Sequence, residues 1–275
     1  MTPPPPRNYV QYGLIALALG YLTLLLFLPA VNIFVQAFAK GPAVFWQNLS
    51  RPAFLSALRL TLGLALVTVP LNTVFGLCAA WAIARKRFPG KTLLLSMIDL
   101  PFSISPVVAG LMLVLLYGRE GWFAPLLRAM DCRVLFGFPG MVLATAFVSL
   151  PFVVREVLPV LEEMGHDQEE AAKTLGASDW QTFWRVTLPN IRLGVLYGVV
   201  LTNARVMGEF GAVAVVSGNI INQTQTLPLF VEDAYKQYNT EAAYGAATLL
   251  ALLAVVTLIL KTLLERQNHR TSAGH

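Results

Sequence analysis

The chain has 275 residues, of which 56% are apolar and only 13% are charged, and its mean hydropathy is +0.63. Soluble domains carry about 25% charged residues, so this composition excludes an ordinary soluble protein and indicates an integral membrane protein. The net charge of +5 is modest and is typical of basic cytoplasmic loops. We therefore expect membrane lipid, and no nucleic acid, as a partner.

Six apolar segments are long enough to cross a bilayer, which takes about 20 residues of helix. In chain order they are Leu14–Phe38, Leu60–Ala84, Leu93–Tyr117, Val134–Val154, Leu193–Val216 and Ala242–Leu260. We predict an all-α integral membrane protein with six transmembrane helices. Four prolines inside these segments predict kinks or broken turns: Pro70, Pro101, Pro106 and Pro151.

The distribution of Lys and Arg predicts the orientation in the membrane. With the N-terminus in the cytoplasm, the cytoplasmic segments hold 12 of the 20 Lys and Arg residues, and the outside segments hold 7. Cytoplasmic loops are enriched in these residues, so both ends are predicted to be cytoplasmic. The ends form two short tails, residues 1–13 and residues 265–275.

The longest cytoplasmic loop, between the fourth and fifth spans, has the pattern of two short helices. Asp167 followed three residues later by Glu170 is a helix-start signal, and Ser178 with Gln181 repeats it. Gly176 predicts the turn between the two helices. The second helix, at residues 179–186, is predicted to end before Pro189.

These two helices carry small and aromatic side chains that are unusual in a solvated loop. The apolar residues are Ala171, Ala172, Leu175, Trp180, Phe183 and Trp184. An exposed apolar patch of this kind indicates a protein partner. The alternative is that both helices pack beneath the membrane spans.

The loop resembles the EAA loop of ABC importer permeases, whose pattern is E-A-A-x3-G-x9-I-x-L-P. Here the pattern runs from Glu170 through Gly176 to Pro189, with Val186 in place of the isoleucine. The resemblance implies that residues 162–191 form a coupling loop that docks on a cytoplasmic ATPase. The residues assigned to this coupling loop are Glu170, Ala171, Ala172, Leu175, Gly176, Trp180, Leu188 and Pro189, and Glu170 is expected to contact the ATPase or to cap its own helix.

Longer stretches resemble the W-type permease subunit of bacterial sulfate/thiosulfate ABC importers. They are "IDLPFSISPVVAGL" at 98–111, "FPGMVLATAFVSLPFVVREVLP" at 138–159, "RVTLPNIRLGVLYGVVLTNARVMGEFGAVAVVSGNI" at 185–220 and "QTLPLFVEDAYKQYNT" at 225–240. The resemblance implies a type I importer permease core, residues 57–264, made by spans two to six. The first span, residues 14–38, is an addition to that core.

The same resemblance implies the partners and the place of action. They are a second homologous permease in a heterodimer, two ATP-binding subunits and a periplasmic sulfate/thiosulfate-binding protein, in a bacterial inner membrane. The anion would cross by alternating access. A molybdate/tungstate ABC permease is the nearest alternative. An ion-coupled secondary anion transporter that uses Asp99 and Glu209 is an alternative of a different class.

The sequence contains no motif of a nucleotide-binding site or a metal-binding site. "FPGKT" at 88–92 ends like a phosphate-binding loop, but position 85 is arginine where such a loop needs glycine. The histidines lack metal-ligand spacing. We expect a non-catalytic subunit with no metal and no cofactor, and ATP and Mg bound by the partner ATPase.

Polar residues inside the spans are the candidates for a transport pathway, a gate or helix pairing. Asp99 is expected to cap the half-helix that restarts after a break in the third span, and Ser103 and Ser105 in that break are candidates for anion contact. Arg205 and Glu209 lie one turn apart, so they are expected to share a helix face. They form either a structural or gating pair, with Asn203 completing the polar network, or a contact to substrate.

Overall fold

The computed structural model describes residues 9–272, and it describes the side chains of residues 12–263. All regular secondary structure in this part of the chain is helical, as the apolar segments predict. The helices are α1 (Tyr9–Leu22), α2 (Leu28–Phe38), α3 (Pro42–Leu49), α4 (Pro52–Arg85), α5 (Lys91–Ser103), α6 (Pro106–Tyr117), α7 (Ala124–Ala129), α8 (Phe138–Met164), α9 (Asp167–Thr174), α10 (Asp179–Thr182), α11 (Leu188–Met207), α12 (Gly211–Ser217), α13 (Leu227–Lys236) and α14 (Thr240–Ser272). Two π-helical segments, Thr23–Phe27 and Phe183–Thr187, join α1 to α2 and α10 to α11.

The six predicted spans correspond to four helices and two bent helix pairs. The four helices that are long and apolar enough to cross a membrane are Tyr12–Phe38, Pro52–Arg85, Phe138–Met164 and Thr240–Leu263. The helices α5 and α6 meet the same criterion together and are bent by 111°. The pair formed by Asp179–Met207 and α12 also meets it and is bent by 54°. The chain is thus a multi-pass, all-helical membrane protein.

The break between α5 and α6 follows from Pro106. Ser105 has a ψ of 135° because the residue before a proline is pushed out of the helical region, and Ile104 before it is also extended, with a ψ of 133°. The predicted break in the third span is confirmed. Helices continue through Pro70, Pro101 and Pro151, so no broken turn occurs at these three positions.

The fifth span is not the continuous helix that the apolar run predicts. The helix α11 ends at Met207, and α12 begins at Gly211. No proline lies in this break, and the local signal for it is the pair of glycines, Gly208 and Gly211, on either side of Glu209.

The predicted tails are partly helical. The helix α1 begins at Tyr9, inside the predicted tail 1–13, and α14 continues to Ser272, inside the predicted tail 265–275. Residues 1–8 and 273–275 lie outside the described part of the chain.

The core of the fold is the packing of α4, α8 and α11. Val153 on α8 is fully buried between two glycines: a Cβ on Gly76 of α4 would lie 2.6 Å from the Val153 Cβ, and a Cβ on Gly198 of α11 would lie 2.9 Å from its Cα. Small residues allow such close approach of helices in membrane proteins. Buried polar groups join α4 to α8, since the Asn72 side-chain amide donates to the Ala146 carbonyl (3.0 Å) and to the Ser149 hydroxyl (2.9 Å).

The first span lies at the edge of this core. None of its most apolar window is buried, and its single buried residue in α2 is Ala37. The helix α2 packs against α14 rather than against α4, α8 or α11. This arrangement agrees with the prediction that the first span is an addition to the core of spans two to six.

Candidate coupling surface and broken-helix site

The loop between the fourth and fifth spans has the predicted order of helix, glycine turn and helix. Gly176 follows α9 with φ of +86° and has open space around it, so the left-handed conformation alone requires glycine there. The predicted capping box at Ser178 and Gln181 is confirmed. The Gln181 N–H donates to the Ser178 hydroxyl (3.3 Å), and the Ser178 N–H donates to the Gln181 side chain (3.0 Å).

The first predicted capping signal is wrong in detail. The helix α9 begins at Asp167 itself, with His166 at the capping position and no side-chain cap hydrogen bond. Asp167 therefore supplies negative charge to the first turn, where the helix dipole favours it, and accepts no capping hydrogen bond.

The prediction that the second helix ends before Pro189 is also wrong. The chain stays helical from Asp179 to Met207 because a π-helical segment, Phe183–Thr187, precedes the proline. The Leu188 N–H donates to the Phe183 carbonyl, five residues back. A wider turn of this kind accommodates the Pro189 ring, which would clash with the preceding turn of a regular α-helix. The second loop helix is thus continuous with the fifth span.

The tip of this loop exposes large apolar side chains. Leu175 is 89% exposed, Trp180 is 69% exposed and Trp184 is 50% exposed. The rings of Trp180 and Trp184 meet edge to face with centroids 5.4 Å apart, and Phe183 packs on both. We call Leu175, Gly176, Trp180 and Trp184 the coupling tip. Exposed apolar side chains grouped in this way mark a site of interaction.

The residues assigned to the coupling loop differ in how exposed they are. Glu170, Ala171 and Pro189 are exposed, while Ala172 is half-buried. Leu188 packs against the core cluster of α4, α5, α8 and α11, so it anchors the loop to the core.

A surface ion pair crosses the glycine turn. The Lys173 amine lies 2.7 Å from a carboxylate oxygen of Asp179, and both side chains are exposed. The hydrogen bond to Asp179 raises the pKa of Lys173, and the same bond lowers the pKa of Asp179. Exposed pairs of this kind contribute little to stability, about 0–1 kcal/mol.

Sequence reasoning singled out Glu170 and missed its neighbour Glu169. Glu169 is the buried residue of α9. Its Oε2 lies 2.9 Å from the Arg85 Nε, and its Oε1 accepts a hydrogen bond from the Thr187 hydroxyl (2.7 Å). The Arg85 Nη1 donates to the Leu161 carbonyl at 3.0 Å. The only local signal for this group is an arginine that ends an uncharged span.

The two broken spans meet where their second halves begin. A Cβ on Gly211, the first residue of α12, would lie 2.9 Å from the Pro106 Cβ, the first residue of α6. A Cβ on Gly110 would lie 2.8 Å from the Ala212 carbonyl oxygen. Ser105, which is exposed, precedes Pro106. The fold therefore brings the predicted break in the third span next to the unpredicted break in the fifth.

Glu209 lies in the break of the fifth span and is 2% exposed. Its Oε2 is 2.6 Å from the Arg205 Nη1, and its Oε1 accepts a hydrogen bond from the Ala212 N–H (2.8 Å). Glu209 thus joins the last turn of α11 to the first turn of α12. The two charges do pair. Glu209, however, lies in the break and not on a helix, so the predicted shared helix face does not exist. Asn203 contacts the Met207 sulfur (3.7 Å), so the predicted polar network with Asn203 is wrong.

The prediction that Asp99 caps the restarting half-helix is wrong. Asp99 lies inside α5, and the capping position of α6 is Ser105, which makes no side-chain cap hydrogen bond. The Asp99 carboxylate instead lies 2.9 Å from the Arg155 Nε on α8, and the Arg155 guanidinium stacks over the Phe102 ring at 4.7 Å. Ser103 is exposed on the same helix as Asp99.

Comparisons with known proteins agree on one family. A family model described as "binding-protein-dependent transport system inner membrane component" matches residues 72–270. The chain is 66% identical to the sulfate transport system permease protein CysW of Synechocystis sp., over 95% of each chain. It is 38% identical to the sulfate transport system permease protein CysT of Escherichia coli (strain K12), over 94% of this chain and 93% of that protein.

A solved structure shares the fold. A chain of a bacterial alginate ABC transporter, in complex with an alginate pentasaccharide-bound periplasmic protein, superposes with a TM-score of 0.77 over 96% of each chain. Its sequence identity is 17%, so the likeness concerns the helical architecture alone. Because the family model covers most of the chain and the curated relatives cover nearly all of it, this protein belongs to the family of binding-protein-dependent transport system inner membrane components.

Proposed function

We propose that this chain is the membrane permease subunit of an ATP-driven importer of sulfate. The observation that carries the proposal is the coupling tip, because it exposes three large apolar side chains beside a left-handed glycine, at the end of a helix that continues into the fifth span. A cytoplasmic ATPase that binds this tip can push on the span directly. Alternating access then follows from a two-state motion of the helices.

Sulfate as the substrate class rests on the relatives. Both the 66% identical and the 38% identical relatives are named sulfate transport system permeases. Thiosulfate is a second substrate of the same charge and tetrahedral shape. The pairing of Arg205 with Glu209 supports a mode of recognition in which the periplasmic binding protein selects the anion, since the carboxylate already neutralises the charge of this intramembrane arginine.

We infer five further properties from the same resemblance. The partners are a homologous second permease, two ATP-binding subunits and a periplasmic sulfate-binding protein. Both chain ends face the cytoplasm, and the complex lies in a bacterial inner membrane. ATP and Mg bind to the ATPase subunits. The chain itself catalyses no reaction.

The ion-coupled carrier is the weaker alternative because the two candidate carboxylates are already paired. Asp99 pairs with Arg155, and Glu209 pairs with Arg205. A proton-coupled or sodium-coupled carrier needs a carboxylate that exchanges its proton or ion during transport. A coupling tip that binds an ATPase has no role in such a carrier.

Uptake of labelled sulfate tests the proposal. Cells that lack this chain should lose sulfate uptake, and cells that carry it should regain it. Depletion of ATP should abolish this uptake, and the proton gradient alone should not support it. Excess molybdate should compete weakly. Strong competition by molybdate, with weak competition by thiosulfate, would instead identify a molybdate permease.

Purification of the membrane complex tests the partners. The chain should bring down an ATP-binding subunit and a second permease, and sulfate with its binding protein should stimulate hydrolysis. Sulfate uptake by the chain without an ATPase would contradict the proposal.

A further inference from the structure

A buried group of three side chains joins the coupling loop to the ends of three long helices. Arg85 is the last residue of α4, and it contacts the Leu161 carbonyl near the end of α8 and the Glu169 carboxylate on α9. The same carboxylate accepts the hydroxyl hydrogen bond of Thr187, which directly precedes α11. We call Arg85, Glu169 and Thr187 the buried clamp.

The clamp is removed from solvent. The side chain of Arg85 is 5% exposed, that of Glu169 is 11% exposed, and Thr187 is 1% exposed. Burying a charge pair carries a desolvation penalty, and apolar side chains of similar size often stabilise a protein as well or better. A buried pair therefore fixes the relative position of its two side chains more than it stabilises the fold, since the two charges tolerate few alternative positions.

The other side-chain links of α9 lie at the surface: the Asn190 amide on α11 donates to the Gln168 side chain (2.7 Å), and Lys173 pairs with Asp179 on α10. Glu169 is its buried residue, although the side chain is charged. Two glycines with positive φ flank the helix, Gly165 at +68° and Gly176 at +86°, and neither has a neighbour within 4 Å of a Cβ position. Exposed links of this kind would still let a short helix between two open turns shift against the spans. The buried clamp removes that freedom.

We propose that Arg85 and Glu169 are positioning residues that lock α9 to the cytoplasmic ends of α4, α8 and α11. A displacement of the coupling tip then moves the three core helices as one body and cannot be absorbed by rotation of α9 about its flanking glycines. This inference rests on the proposed function and goes beyond it, because it assigns the mechanical link to residues outside the exposed tip. Glu169 acts here through Arg85 and touches no substrate.

The test compares two single substitutions in the complete importer, reconstituted in vesicles with its binding protein. Glu169→Gln removes the buried charge pair, and Asp179→Asn removes the exposed pair with Lys173 on the same loop. The measured quantities are the amount of assembled complex, the rate of ATP hydrolysis and the number of labelled sulfate ions taken up per ATP hydrolysed.

We expect Glu169→Gln to keep assembly and ATP hydrolysis within twofold of the wild type and to lower the uptake per ATP at least tenfold. Asp179→Asn should leave that ratio within twofold. The double variant Arg85→Gln/Glu169→Gln, which leaves no unpaired charge in the buried site, should exceed Glu169→Gln at least threefold. A wild-type ratio in Glu169→Gln, an equal loss in Asp179→Asn, or no recovery in the double variant would overturn the inference.

A further substitution covers the case in which Glu169→Gln does not accumulate in the membrane. Thr187→Val removes the hydroxyl link and leaves both charges paired, so it should lower the uptake per ATP at least threefold, and an unchanged ratio would overturn the inference. If the wild-type complex itself takes up no sulfate, the proposed function fails. If the wild type transports and the clamp variants remain fully coupled, only the inference fails.

Discussion

Gly211 lies directly against Pro106, and a Cβ on this glycine would come within 2.9 Å of the proline Cβ. Each of the two residues begins the second half of a broken span. Real Cβ atoms do not approach so closely, so the contact requires glycine. It ties the two breaks together and makes them one structural unit beside the Arg205–Glu209 pair.

Gly211→Ala should therefore push α6 and α12 apart. Overpacking of this kind costs about 1–3 kcal/mol, so we expect a lower unfolding temperature in detergent and lower sulfate uptake. Gly208→Ala is the matched control, because a Cβ there would meet only the Ala204 carbonyl oxygen at an ordinary 3.5 Å. Equal effects of the two substitutions would show that the close contact has no special role.

The Arg205–Glu209 pair should behave as a unit. Arg205→Gln leaves the buried Glu209 carboxylate without its partner, which costs about 3–5 kcal/mol, and Glu209→Gln leaves the part-exposed Arg205 charge unpaired. We expect each single variant to lose at least tenfold in uptake, and the double variant to recover most of it. Should Arg205→Gln abolish uptake while Glu209→Gln transports normally, Arg205 contacts the anion instead, and the pairing is incidental.

The coupling tip should be needed for ATPase binding and not for folding. Trp180→Ala removes a side chain that is 69% exposed, so the free energy of unfolding should change by less than about 0.5 kcal/mol. We expect the copurifying ATPase to fall at least tenfold, as measured by gel densitometry. Trp122→Ala is the control, since Trp122 is 87% exposed in a loop that is predicted to face the outside. Full ATPase binding by Trp180→Ala would place the docking site elsewhere.

Gly176 should tolerate only residues that accept a positive φ. Its surroundings are open, so the effect of a substitution comes from the backbone, at about 1–2 kcal/mol for a residue with a Cβ in the left-handed region. Gly176→Val should thus lower uptake strongly, while Gly176→Asn should retain a large part of it, because asparagine enters this region more readily. Similar uptake by the two variants would mean that side-chain bulk, and not φ, decides the effect.

Local patterns were sufficient to place the apolar spans and the glycine turn of the loop. Each span is a run of apolar residues whose membrane preference needs no partner, and the turn at Gly176 and the cap at Ser178 involve groups within three residues of each other. The break before Pro106 is equally local. These features depend on neighbours along the chain, so the sequence by itself determined them.

Only the tertiary structure decided which charges pair between residues far apart in the sequence. Glu169 is buried and Glu170 is exposed because the end of α4, far away in the sequence, brings Arg85 to one of them. Asp99 on α5 likewise pairs with Arg155 on α8, and the spacing of these two residues along the chain does not predict the pair. Helix packing selects such partners, since the desolvation of a charge depends on what surrounds it in space and not on its neighbours in sequence.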